Sequence, residues 1–124
     1  MKKVYYNKLI RDKIPEKIKN KGSKLKTRVL GKKEFCCELL KKVGEEANSL
    51  PDISSRKELL SELADVLDVI DEIKKFKNIT AKEFSIVRRG NLKKKGGFKK
   101  HLFLIWSSDD NYKTNENRYK KPNK

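Results

Sequence analysis

The chain has 124 residues and a mass of 14.5 kDa, and its 33 Lys and Arg against 17 Asp and Glu give a formal charge of +16. That length fits one domain, and 35% hydrophobic against 40% charged residues excludes a large buried core. No apolar run approaches the roughly 18 residues of a membrane span, and the adjacent Cys36 and Cys37 are too few for a disulfide framework, so an unexported, cytoplasmic protein is expected.

Apolar residues at 9, 10, 14 and 18, with Pro15 suited to a first turn, predict a short helix around 15–20. Lys19 to Lys33, punctuated by Gly22 and Gly31, reads as a loop with an extended stretch near Val29. From Glu34 to Leu50, apolar residues at 35, 36, 39, 40, 43, 47 and 50 keep the helical period, with Gly44 costing about 1 kcal/mol relative to alanine. Pro51-Asp52 breaks this helix. Ser55-Arg56-Lys57-Glu58 has the spacing of a capping box, and Leu59, Leu63, Val66, Leu67, Ile70 and Ile73 form the stripe of the helix it opens. A second capping box, Thr80-Ala81-Lys82-Glu83, starts a helix that frays near Gly90 or Lys93-Lys94-Lys95 and stops at Gly96-Gly97. Leu102-Phe103-Leu104-Ile105-Trp106 must dock on the helices or form a strand. Residues 107–124 contain few core-formers and are expected to be a disordered basic tail.

Charge is unevenly placed: residues 1–50 carry +9, residues 51–73 carry −5 and residues 74–124 carry +12. Seven carboxylates among the 23 residues of the middle segment repel one another, so they form either a solvated helix face or a site that a cation neutralises. At 100° per residue, the stripe of the second long helix centres near Val66 and Ile70, with Glu62 on its border and Asp65 about 60° beyond. In the preceding helix the stripe centres near Cys36, Leu40 and Ala47, with Glu46 on the border and Ser49 about 60° beyond. The short Leu50–Ser55 connection predicts antiparallel packing, which brings Glu46 and Ser49 to face Glu62 and Asp65 across a cleft. Hard oxygen donors without histidine or thiol select Mg²⁺ or Mn²⁺ over zinc, and Mg²⁺ shares its shell with substrate phosphates. Without a partner, the same residues are an acidic helix flank.

Tyr6-Asn7-Lys8-Leu9-Ile10-Arg11-Asp12-Lys13-Ile14-Pro15, Val43-Gly44-Glu45-Glu46-Ala47, Glu62-Leu63-Ala64-Asp65-Val66-Leu67-Asp68-Val69-Ile70 and Gly96-Gly97-Phe98 occur in series over about residues 5–105. In this the chain resembles the all-α nucleoside triphosphate pyrophosphohydrolases of the MazG type, in particular the phosphoribosyl-ATP pyrophosphohydrolase-like house-cleaning branch. The resemblance implies an antiparallel helical bundle completed by oligomerisation, with a homodimer or higher homo-oligomer as the working form. It implies a catalytic domain over residues 1–106 and Mg²⁺-dependent hydrolysis of a nucleoside triphosphate to monophosphate and pyrophosphate. The family's metal motif, EExxE followed by ExxD, falls on Glu45, Glu46, position 49, Glu62 and Asp65. Position 49 is serine here, so one expected carboxylate is missing.

On that basis Glu46, Glu62 and Asp65 are the expected metal ligands, and Glu45, pointing about 100° away from Glu46, is the candidate for orienting the attacking water. Arg11, Lys13, Arg28, Lys94 and Lys95 are the candidate phosphate contacts, since a triphosphate beside carboxylates needs cations. Asp12 is a local ion-pair partner for Arg11. His101, Cys36 and Cys37 read as packing or surface residues. Two alternatives remain: a catalytically impaired nucleotide sensor, favoured by Ser49, and a nucleic-acid binder using the basic surface, for which no recognition motif is present.

Overall fold

The computed structural model describes residues 2–109. Among them are four helices, α1 (Ile14–Asn20), α2 (Lys32–Ala47), α3 (Arg56–Phe76) and α4 (Ala81–Lys95), a 3-10 turn at Leu50–Asp52 and no strand. The fold is all-α. Of the expected tail, residues 110–124 lie outside the described residues. No helix among the described residues is long and apolar enough to cross a membrane. Residues up to Arg88 form one unit and those from Arg89 onward a second, the boundary falling inside α4.

Local chemistry accounts for most helix ends. The Ser55 hydroxyl accepts the Glu58 backbone N–H at 3.1 Å, and the Thr80 hydroxyl accepts that of Glu83 at 3.1 Å, satisfying donors that α3 and α4 would otherwise leave bare. α3 closes on Asn78 in the left-handed region (φ 57°), where Ile79 N–H reaches back to Lys74 C=O at 2.8 Å and Asn78 N–H to Lys75 C=O at 3.2 Å. Lys74 and Lys75 lie in that last turn, where the helix dipole favours cations. α4 does not fray at Gly90. It runs on to Lys95 and stops where Gly96 turns left-handed (φ 78°), its N–H bonded to Leu92 C=O at 2.8 Å.

α2 and α3 pack antiparallel. Phe35 in the first turn of α2 meets Phe76, the last residue of α3, edge to face with ring centroids 5.5 Å apart. At the opposite end, Glu46 near the close of α2 lies beside Glu62 near the opening of α3. Between these ends Leu39 is the one buried side chain among the described residues. The packed face of α2 is thus turned from the expected centre: Leu39 is buried while Leu40 is exposed. In α3 the expected centre, Val66 and Ile70, is half-buried together with Val69 and Ile73, while Leu59, Leu60, Leu63 and Leu67 are exposed. Where α4 begins, the Lys74 ammonium sits 4.4 Å over the Phe84 ring.

In the second unit, the Phe98 C=O accepts the His101 N–H at 3.1 Å, with His101 left-handed at φ 53°. Leu102 to Trp106 form no strand, and all five side chains are exposed, contrary to the expectation that this run docks or pairs. Five consecutive apolar residues have no period to select a face, and no other described segment is a strand that could offer a ladder.

Candidate metal centre

The antiparallel pairing carries Glu46 from α2 to the α3 residues Glu62 and Asp65, which are i and i+3 and therefore share a face. One carboxylate oxygen from each of Glu46, Glu62 and Asp65 lies within 4.8 Å of the others, and all three residues are half-buried. The three expected ligands do come together.

Two cations border this group. The Arg11 Nη2 donates to Asp65 Oδ1 at 2.9 Å and to Asp68 Oδ2 at 2.8 Å. The Lys42 ammonium lies 3.4 Å from Glu46 and 3.2 Å from Glu45. Hydrogen bonding to Asp68, reinforced by the charges of Asp65, Asp68 and Glu46, raises the Arg11 pKa above its ordinary value, against a smaller opposing effect of burial. Glu62 has no ion-pair partner among the described residues. Five carboxylates (Glu45, Glu46, Glu62, Asp65 and Asp68) therefore face two cations, and the residual negative charge suits a divalent ion. The donor set fits Mg²⁺ or Mn²⁺: hard carboxylate oxygens only, and partial exposure that leaves room for water and a phosphate in the shell.

The remaining expected site residues are differently placed. Glu45 is exposed and engaged with Lys42. Ser49 lies two residues past the end of α2 at Ala47, exposed at the entry to the 3-10 turn, with its backbone still in the right-handed helical region (φ −86°, ψ −9°). Arg11 pairs across to α3 rather than with its neighbour Asp12. Lys13 is exposed at the N-cap of α1. Arg28 is at the other end of α2, forked onto Glu34 at 3.0 and 2.6 Å, with Glu34 separated from Glu46 by 12 residues, about 18 Å of helix. That fork raises the Arg28 pKa and lowers that of Glu34. Lys94 and Lys95 close α4 in the second unit. Cys36 is half-buried and Cys37 exposed, both as free thiols.

Sequence reasoning passed over Lys42 and Asp68. Lys42 was legible, being four residues before Glu46 on the same helix face. Asp68 was not, because its partner is 57 residues away in a segment without regular structure. An open cleft of about 550 Å³ adjoins Asp68 and continues along α3 past Asp71, Glu72, Lys74 and Lys75 to Ile79.

Comparison of the chain with protein-family models, with curated proteins and with solved structures gives no match.

Proposed function

We propose that this chain is a MazG-type nucleoside triphosphate pyrophosphohydrolase that cleaves its substrate to nucleoside monophosphate and pyrophosphate with Mg²⁺ or Mn²⁺. The observation that carries the reading is the convergence of Glu46, Glu62 and Asp65 from two antiparallel helices to within 4.8 Å. Bound there, the cation would neutralise the phosphoryl chain and polarise the bond that breaks. Glu46, Glu62 and Asp65 supply the ligands. Arg11, already at Asp65, contributes the fixed positive charge that a departing pyrophosphate requires. Glu45, exposed and paired with the same Lys42 that reaches Glu46, is the residue this reading assigns to orienting water.

The same reading takes the active form to be a homodimer or higher homo-oligomer. It is supported by the exposed Leu60, Leu63 and Leu67 on a helix whose chain, alone, buries one side chain among those described. The free Cys36 and Cys37 thiols support a reducing, cytoplasmic setting.

The test is release of pyrophosphate from a panel of nucleoside triphosphates with Mg²⁺, with Mn²⁺ and with chelator. Metal-dependent release that Glu62→Ala and Asp65→Ala each abolish, with helicity retained, is the expected result. Equal rates in both variants would overturn the assignment. Ser49, which offers no carboxylate, favours a second reading in which the nucleotide binds without turnover; binding without pyrophosphate release distinguishes it.

A further inference from the structure

Arg11 belongs to an N-terminal segment without regular structure, yet its guanidinium reaches α3 and bonds two carboxylates through a single nitrogen, Nη2. A guanidinium has five N–H donors, and Nη2 holds two of them. The three on Nη1 and Nε have no partner among the described residues, and the side chain is 57% exposed, so a ligand can reach them. Of the two acceptors, Asp65 is part of the converging trio, whereas Asp68, one turn on, is outside it. The two aspartates therefore differ in what a divalent ion does to them. A cation bound by Asp65 would repel Arg11 from it, whereas Asp68, outside the trio, would be free to keep its bond.

We propose that Asp68 is a positioning residue that tethers Arg11 beside the Glu46, Glu62 and Asp65 cluster, so that the unused donors of Arg11 clamp the phosphoryl oxygens of a polyphosphate brought in with a divalent cation. The proposal rests on the metal reading of the preceding section. Arg11 is shared between two states: in the absence of the cation it neutralises Asp65, and in its presence it swings on Asp68 toward the incoming anion. The planar fork of a guanidinium matches two oxygens of a phosphate, which a lysine at the same place would not do.

The test is calorimetric titration of the full chain with Mn²⁺, followed by inorganic pyrophosphate at saturating Mn²⁺, for the wild type, Arg11→Gln, Asp68→Asn, Asp68→Glu, the Arg11→Gln/Asp68→Asn double variant and Glu62→Gln. Arg11→Gln removes a competing cation and is expected to tighten Mn²⁺ roughly three- to tenfold, whereas Asp68→Asn leaves Arg11 leaning on Asp65 and weakens Mn²⁺ by a similar factor. Both weaken pyrophosphate about tenfold, the double variant is no worse than either single one, and Asp68→Glu restores part of the loss. Opposite shifts for the metal with parallel losses for the anion are not produced by a structural defect. If Glu62→Gln loses Mn²⁺ but Arg11→Gln and Asp68→Asn bind pyrophosphate as the wild type does, the tether is overturned and the metal centre stands. If Mn²⁺ binds the wild type and Glu62→Gln equally, or neither, both are overturned.

Discussion

Replacing Leu63 and Leu67 together by serine tests whether the outer face of α3 is an interface. In the isolated chain these side chains are 47% and 57% exposed, so a partner copy has about half of each left to bury. Full burial of a leucine is worth about 2 kcal/mol, which puts the remaining half at about 1 kcal/mol per side chain. Two leucines in each of two copies give about 4 kcal/mol of association energy, or about three decades in the dimer dissociation constant. On a monomer, the same two substitutions are surface changes of about 0.5 kcal/mol or less each. Sedimentation velocity across a concentration series separates the two cases. The expected outcome is a wild type that sediments as a dimer or larger species at micromolar concentration and a double variant that dissociates about 1,000-fold more readily. The wild type's thermal unfolding would depend on protein concentration, and the variant's would fall to a lower temperature and lose that dependence as it becomes monomeric. A monomeric wild type, or a variant that associates as tightly as the wild type, would show that this face of α3 is not an interface.

Two further predictions concern the scaffold. Gly44→Ala introduces a methyl group that meets no atom within 4 Å, so the gain in helix propensity is undiminished and α2 is stabilised by about 1 kcal/mol, measurable as a rise in the chemical denaturation midpoint. The Arg28 fork holds the Glu34 carboxyl below the ordinary glutamate value of 4.5, chiefly through its hydrogen bonds. Because the folded value is the lower one, this stabilisation is complete above the unfolded-state value and is lost as pH falls through the folded-state value. An NMR titration of Glu34 is expected to show a midpoint below 4.5 that Arg28→Ala brings back up, and an unchanged midpoint would contradict the pairing.

Much of this architecture is legible in the sequence because it is set locally. Ser55 and Thr80 sit three residues before Glu58 and Glu83, and each hydroxyl takes the N–H that this spacing offers. The i, i+3 relation of Glu62 and Asp65 and the short link to α2 were enough to place Glu46 opposite them. What was not legible depends on partners far along the chain. The apolar residues of α2 and α3 span more than one face, so periodicity could not decide whether Leu39 or Leu40 would turn inward, nor that Leu60, Leu63 and Leu67 would face outward. The apolar period runs on to Leu50, so it could not mark the end of α2 at Ala47, two residues before Ser49. Arg11 offers its local neighbour Asp12 as the obvious partner, and only the path of the N-terminal segment across α3 directs it to Asp65 and Asp68 instead.

Whether α2 and α3 together ligate a divalent ion can be seen in an anomalous difference map from crystals of the full chain grown with Mn²⁺. One strong peak is expected within coordination distance, about 2.2 Å, of carboxylate oxygens from Glu46, Glu62 and Asp65. Mn²⁺ bound elsewhere, with these three carboxylates turned to solvent, would contradict this expectation.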